Sequence, residues 1–302
     1  MIELGFEFQA MACACELHLE GTDEPRLRRV ADAAMAEVRR IERKFSRYDP
    51  ASVVSRINAA AGSGEAIEVD EETAGLLDFA AQLHALSEGL FDITSGVLRQ
   101  AWDFRVPRLP ARDEVAALTR LVGWPRVAWS GCRIALPDVG MEIDFGGFGK
   151  EYAADRVAAE LGRAGIDHGY VNLGGDIRVI GPRSDGKPWR LGIQHPRRAG
   201  QMLAQLEAKT GALATSGDYE RYFEINGRRY CHLLDPRSGW PVSYWQSVSV
   251  LAPNCAAAGA VCTIAMLMGE QAQAFLHDQR VDWLAVGPDG AMHGSLPGIP
   301  LR

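Results

Sequence analysis

The chain has 302 residues, of which 47% are hydrophobic and 24% charged, and its formal net charge is −7. These ordinary globular values allow a sizeable core. The acidic balance argues against nucleic acid or an anionic membrane surface as the main partner.

Six cysteines occur without a CxxC pair, so the sequence shows no complete zinc motif and fits a reducing compartment. The N-terminus alternates like a strand and lacks the basic start and apolar block of a signal peptide. The most apolar run, 256–268, is too short to span a bilayer. We therefore expect a cytoplasmic protein without a membrane span.

The N-terminal region predicts a first strand or a hairpin, followed by a long helix. Residues 4–20 alternate like strands around a small-residue interruption at 9–12. A helix then begins at Thr22 or Asp23, with Pro25 in its first turn, where a missing N–H is harmless. Its apolar residues recur at three- and four-residue spacing: Leu27, Val30, Ala34, Val38, Ile41 and Phe45.

A second helix is predicted over 71–87, with Asp70 as its N-cap. Asp92 follows soon after it, flanked by Phe91 and Ile93. This aspartate is either the cap of a next helix or a ligand contact, and the cap is slightly favoured.

The segment DFGGFGKEYAAD at 144–155 reads as a glycine-rich turn leading into a helix that runs through Gly162. A helix start presents backbone N–H groups to anions. The segment is neither a Walker A loop nor GxGxxG, because Asp144 and Tyr152 stand where those patterns need glycine. Alone it is a weak phosphate signal.

Between and after these elements the pattern predicts strands joined by turns, with two C-terminal helices at 256–268 and 271–279. In the strand at 169–177, Gly174 and Gly175 interrupt the run, which is typical of a β-bulge. The other predicted strands lie at 127–135, 141–145, 189–193, 202–209, 245–251 and 281–287.

The segment 210–242 predicts a strand, a small-residue turn at 214–218 and a hairpin whose strands are 219–224 and 228–232. Asn226-Gly227 between the strands is a strong hairpin signal. Such a hairpin can hold hydroxyls and the His232 imidazole towards one pocket. An ordinary hairpin with a partly buried histidine remains the alternative.

Strands and helices are mixed without strict βα alternation, which favours the α+β class over a doubly wound sheet. No linker or internal repeat divides the sequence. We therefore expect one domain over residues 1–302.

Together these motifs resemble the ApbE family of FAD:protein FMN transferases. No single motif is decisive, but seven occur in family order across nearly the whole chain. They are Met11 after Ala10, FSRYDPASVVSRIN at 45–58, GLFDIT at 89–94, IDFGGFGKEYAAD at 143–155, VNLGGDI at 171–177, ATSGDYERYF at 214–223 and HLLDPRSGWPV at 232–242.

The resemblance implies an α+β, T-fold-like protein with mixed sheets, packed helices and an FAD cleft between two halves. It further implies that a divalent metal, usually Mg²⁺, helps to break the FAD pyrophosphate. FMN then passes to a Ser or Thr hydroxyl of a target protein and AMP is released. His232 would be the catalytic imidazole. The implied cofactor-binding residues are Met11, Tyr48, Phe91, Asp92, Ile93, Gly146, Lys150, Tyr152, Gly174, Gly175, Asp176, Thr215, Ser216, Gly217, Leu233 and Asp235.

The implied metal ligands show one departure from the family. Thr263 aligns with the family's threonine and Gly149 with its main-chain carbonyl donor, but Gly259 stands where the family has an aspartate. Hard cations favour charged oxygen ligands, so we expect a weaker metal site. The alternatives to the transferase are an FAD-binding relative that has lost transfer and an unrelated nucleotide enzyme with a phosphate site at a helix start.

Overall fold

The computed structural model describes residues 1–296, which form fifteen strands and seven α-helices. The strands are β1 (Ile2–Ala10), β2 (Cys13–Gly21), β3 (Ile67–Glu68), β4 (Ala128–Ser130), β5 (Arg133–Ala135), β6 (Gly169–Leu173), β7 (Asp176–Gly181), β8 (Trp189–Gln194), β9 (Met202–Ala208), β10 (Gly211–Gly217), β11 (Tyr222–Ile225), β12 (Arg228–Cys231), β13 (Ser247–Ala252), β14 (Asp282–Val286) and β15 (Met292–Gly294). The helices are α1 (Glu24–Phe45), α2 (Val53–Ala59), α3 (Glu71–Leu86), α4 (Arg112–Thr119), α5 (Gly149–Arg163), α6 (Cys255–Met268) and α7 (Ala272–Asp278), and 3-10 segments cover Ile93–Gln100, Trp124–Arg126 and Gly269–Gln271.

Eight strands form the main sheet in the order β1-β2-β6-β7-β10-β13-β14-β15, and every neighbouring pair is antiparallel. Helices α1, α5 and α6 pack with this sheet around the largest core. The β8–β9 hairpin contributes to a second core on residues of β7, β10 and β14. This mixture of helices and antiparallel sheets confirms the α+β class.

The helix boundaries follow local capping. Asp23, Asp70 and Asp92 each accept a hydrogen bond from a backbone N–H in the first turn that follows. Asp92 therefore acts as a cap, as the sequence slightly favoured. Along α1 the predicted apolar stripe is buried, with Val30 only half-buried.

Two predicted strands differ from the structure. Residues 141–145 are not a strand, because the Asn58 side chain occupies the backbone hydrogen-bonding groups of Ile143. Its Oδ1 accepts from the Ile143 N–H at 2.8 Å, and its Nδ2 donates to the Ile143 carbonyl at 3.1 Å. Residues 127–135 form the two short strands β4 and β5 rather than one.

The turn regions also need correction. Gly174 and Gly175 do not form a bulge but a two-residue turn between β6 and β7, with φ of 66° and 96°. The predicted turn at 214–218 lies almost wholly within β10, which ends at Gly217. The hairpin turn at Asn226-Gly227 is as expected, with both residues at positive φ.

One helical stretch, Cys255–Asp278, is long and apolar enough by length and composition to cross a membrane. Because 61% of its most apolar window is buried in the fold, it is typical of a core helix. The single domain over 1–302 stays a prediction, and its last residues, 297–302, lie outside the described part.

Candidate active site

The first turn of α5 lies where several of the sequence motifs meet, and we call its surroundings (residues 146–151 and their contacts) the α5 cleft. A β-carbon at Gly147 would lie 2.8 Å from Phe91 Cζ, and one at Gly149 would lie 3.9 Å from Met11 Cε. Both side chains therefore touch the glycine-rich turn. Met11 itself is at the β1–β2 turn with φ of 52°, and its N–H donates to Glu42.

The rim of the glycine-rich turn is held by charge. The Asp144 carboxylate accepts from the Gly146 N–H at 3.0 Å and pairs with Arg47 at 2.6 Å. Tyr48 is 74% exposed, and Arg47 lies over its ring at 5.1 Å. Arg47 thus connects the Tyr48 ring with Asp144 at the glycine-rich turn. Because the ring is exposed, it is available to stack on a planar ligand.

Lys150 connects the glycine-rich turn with Asp176, the first residue after the β6–β7 turn. Its Nζ lies 2.5 Å from Oδ2 of Asp176, which is 2% exposed. Burial acts to lower the pKa of Lys150, but the carboxylates of Asp176 and Glu151 outweigh it and raise that pKa. The positive charge of Lys150 is therefore retained in the cleft at neutral pH.

Gly174 is required at the β6–β7 turn. Its φ of 66° is left-handed, and a β-carbon there would lie 2.8 Å from Cys13 Sγ. The neighbouring Gly175 N–H is held by the Asn172 side chain at 2.9 Å. These contacts bring the β1–β2 and β6–β7 turns together beside Lys150.

Glu151 enters the interior on the other side of Lys150. It is 6% exposed, and its Oε2 atom has no hydrogen-bond partner. A β-carbon at Gly259 on α6 would lie 2.6 Å from Glu151 Oε1. Burial, followed by the charge of Asp176, raises the pKa of Glu151 to about 8.

Hydroxyl groups of β10 face their neighbours in the sheet and on α6. Ser216 Oγ lies 3.1 Å from Thr263 Oγ1, and Thr215 Oγ1 lies 2.8 Å from Ser249 Oγ. The Tyr219 ring packs on Gly217 at the end of the strand. Two of the predicted sites, at Ser216 and Thr263, are thus joined by one hydroxyl contact.

His232 follows β12 and is half-buried, with its backbone N–H donating to the Arg221 carbonyl at 3.0 Å. Its Nδ1 atom is buried without a partner. Burial, and then the positive charges of Arg221 and Lys150, lower its pKa to about 4. The imidazole is therefore neutral at pH 7, and Lys150 of the α5 cleft is one of the two positive charges that lower its pKa.

The ApbE family model matches residues 11–285. The chain belongs to the ApbE family. The match runs from Met11 at the β1–β2 turn to Ala285 in β14, so it includes every element of the α5 cleft. The resemblance based on seven ordered motifs is confirmed.

Relatives with established names agree with the ApbE assignment. A FAD:protein FMN transferase of Rhodobacter capsulatus is 32% identical over 269 residues, which cover 87% of this chain and 51% of that protein. One of Vibrio cholerae is 33% identical over 234 residues, covering 76% of this chain and 70% of that protein. The chain thus spans about half of the first relative's length.

Solved ApbE structures show the same fold. The ApbE protein of Thermotoga maritima superposes with a TM-score of 0.90 at 32% identity, covering 97% of each chain. The flavin transferase ApbE of Vibrio cholerae gives 0.85 at 26% identity, covering 97% of this chain and 96% of that one. The ApbE-like fold is confirmed.

Several residues on which ApbE-type cofactor contacts were predicted are engaged elsewhere. The Asp92 carboxylate is buried and accepts from Thr94 and from the Trp124 N–H. The Tyr152 hydroxyl donates to Glu72 at 2.7 Å, on the α1–α3 side of the turn. The cofactor roles of both residues stay predictions, and these contacts favour structural roles.

Three other predicted residues offer no free polar side chain to a ligand. Ile93 is 5% exposed, and its carbonyl accepts from the Asp144 N–H. Leu233 is half-buried and packs on the main core. The Asp235 carboxylate accepts from the Arg237 N–H and guanidinium within its own turn.

The sequence-based list omitted Glu151 and Arg221. A signal for Glu151 exists, because it heads the buried stripe of α5 that continues through Ala154, Ala158 and Leu161 at spacings of three and four. A glutamate at an apolar stripe position indicates a buried carboxylate with a specific role. Arg221 has no comparable signal, since only the fold brings it to His232.

Proposed function

We propose that this chain is a transferase that cleaves FAD and passes FMN to a Ser or Thr hydroxyl of a target protein with release of AMP. The observation that carries this proposal is the convergence of the ordered ApbE motifs on the first turn of α5. The names of the relatives support the same activity. That the acceptor is a protein with a Ser or Thr site, and that the chain is cytoplasmic, are proposals that rest on the sequence alone.

The role of His232 follows from its charge state. An alcohol is a poor nucleophile at neutral pH unless a base takes its proton. A neutral imidazole nitrogen of His232 accepts that proton while the hydroxyl oxygen bonds to the FMN phosphorus. The bond from that phosphorus to the bridging oxygen breaks, and AMP leaves with the bridging oxygen. A pKa of about 4 keeps the imidazole in its base form throughout the neutral range.

The pyrophosphate needs positive charge. A divalent cation such as Mg²⁺, if held here, would supply positive charge to the phosphate oxygens. The Thr263 hydroxyl and the Gly149 carbonyl are the donors that the resemblance implies. Glu151, two residues after Gly149, has a buried carboxylate oxygen without a hydrogen-bond partner, and this supports a cation near these donors.

A second candidate function is FAD binding without transfer, because Gly259 stands at the family's acidic metal position. The two functions differ in their products. Transfer yields covalent FMN on an acceptor together with AMP, whereas binding alone retains intact FAD.

The test is His232→Ala in a flavinylation assay. We expect the transfer rate to fall by about 10²–10⁴-fold, since a general base contributes that much. FAD affinity, followed by flavin fluorescence, should stay within about threefold, because a base contributes to transition-state stabilisation more than to ground-state binding. The assay measures in-gel fluorescence of an acceptor protein that a known FAD:protein FMN transferase modifies, and AMP by chromatography.

His277→Ala is the matched control, since that side chain is 90% exposed on α7. It should transfer at the parental rate. Absence of AMP and of labelled acceptor with the parent protein, across several divalent cations, would contradict the transferase.

A further inference from the structure

The carboxylate of Glu151 occupies space that a side chain on α6 would otherwise fill. A β-carbon at position 259 would lie 2.6 Å from both Cγ and Oε1 of Glu151 and 2.9 Å from its Cδ. Glycine at 259 therefore makes room for the glutamate. The carboxyl group reaches α6 from a residue that lies 108 positions earlier (259 − 151).

The spacing of the two helices at this point is fixed by a second side chain of α5. Asp155, one turn beyond Glu151, accepts from the backbone N–H groups of Cys255 and Ala256, each at 2.8 Å. These N–H groups belong to the first turn of α6, where four donors lack helical partners. Asp155 thus anchors the start of α6 on α5, one turn before Gly259.

The Glu151 carboxylate has no partner that explains its burial. Its Oε2 atom is one of four buried side-chain nitrogen and oxygen atoms without a hydrogen bond within residues 1–296, and His232 Nδ1 is another. Burying a carboxylate without a counter-charge or hydrogen bonds is costly. Lys150 already pairs with Asp176, at 2.5 Å. Unsatisfied groups of this kind point to a missing ligand.

The other donors that the resemblance implies for a metal are oxygens. Thr263 lies four residues after Gly259 and so on the same face of α6, and its hydroxyl meets Ser216 at 3.1 Å. The Gly149 carbonyl belongs to the same first turn of α5 as Glu151. Within residues 1–296 no three His, Cys, Asp or Glu side chains converge on a metal site. A single carboxylate with neutral oxygens is a ligand set for a hard cation.

We propose that Glu151 is the acidic ligand of a divalent cation bound with Thr263, so that the carboxylate missing at position 259 is supplied from α5 instead of α6. The site would use the Ser216–Thr263 hydroxyls and the Gly149 carbonyl as its neutral donors. This inference rests on the proposed function only for the identity of the cation as Mg²⁺. The proposal replaces the earlier expectation that the metal site is weak because position 259 lacks a carboxylate.

The test titrates Mn²⁺ alone into the purified protein and counts free Mn²⁺ by electron paramagnetic resonance, so no turnover is needed. Glu151→Gln keeps the shape and removes the charge, and we expect at least a tenfold loss of Mn²⁺ affinity. Gly259→Asp should give no gain, because its new side chain would meet Glu151. The double variant Glu151→Gly with Gly259→Asp moves the carboxylate back to α6 and should restore affinity to within about threefold.

Glu72→Gln is the control, since that carboxylate already has protein partners, and it should bind Mn²⁺ like the parent. Circular dichroism verifies that each variant is folded. Parental affinity in Glu151→Gln, or no Mn²⁺ binding by the parent, would overturn the proposal.

A parent that binds Mn²⁺ through Glu151 but transfers no FMN would refute the transferase and leave this inference standing. Undiminished transfer by Glu151→Gln at a cation concentration below saturation would refute this inference and leave the transferase standing.

Discussion

Glu151, in the first turn of α5, and Glu72, in the first turn of α3, lie in opposite surroundings. Glu72 accepts from Arg40, at 2.7 and 2.9 Å, from Lys44 at 2.5 Å and from the Tyr152 hydroxyl at 2.7 Å. Burial acts to raise its pKa, but these donors lower it to about 2. Glu151 has an oxygen with no donor, and burial raises its pKa to about 8.

The difference separates a structural carboxylate from one that is available to a ligand. Glu72 joins α1, α3 and α5, and its charge is satisfied by the protein itself. Oε2 of Glu151 has no such partner among the described residues, and burial makes its charged form costly, which raises its pKa. The first turn of α5 therefore has two sides. Tyr152 lies on the structural side, and Lys150 and Glu151 lie on the side where we propose that a ligand binds, called the binding side below.

The largest effect on stability should come from breaking the ion pair on the binding side. Lys150→Met leaves the Asp176 charge buried and unpaired, which should lower the free energy of unfolding by about 3 kcal/mol. Lys44→Met on the Glu72 side is the control. It should cost only about 1 kcal/mol, because Arg40 and Tyr152 still contact Glu72. Urea unfolding at pH 7 measures both, and equal losses would remove the contrast between the two sides.

The pH dependence of stability should report His232. Its pKa is about 4 in the folded protein and about 6.5 when unfolded. The unfolded state therefore binds the proton more readily, and the contribution present above pH 6.5 is lost as pH falls towards 4. Between pH 7.5 and 4.5 the parent should lose about 2 kcal/mol more than His232→Gln. Parallel pH profiles in urea unfolding would show that the imidazole is not held neutral.

The smallest effect should come from Tyr152→Phe. The change removes one of the donors to Glu72 while Arg40 and Lys44 remain, so the unfolding free energy should fall by about 1 kcal/mol. FAD affinity should change by less than about twofold, since the lost hydroxyl faces Glu72. A marked loss of FAD fluorescence quenching would instead return Tyr152 to the cofactor site.

Local features of this fold could be read from the sequence because their causes lie within a few residues. Asp23, Asp70 and Asp92 each satisfy N–H groups two or three positions later, and Asn226-Gly227 supplies two residues that tolerate positive φ. The ordered motifs also identified the ApbE family. Local alternation failed at 141–145, where a side chain from α2 replaces a neighbouring strand.

The sequence by itself determined the class of elements, their caps and turns, and the set of motifs around the α5 cleft. Only the tertiary structure decided which carboxylates are partnered. Tyr152 of α5 meets Glu72 of α3, 80 residues away in sequence, and Glu151 of α5 meets Gly259 of α6, 108 residues away. Burial and counter-charge depend on such long-range packing, so the absence of a partner for the Glu151 Oε2 atom could not be deduced from residues near it.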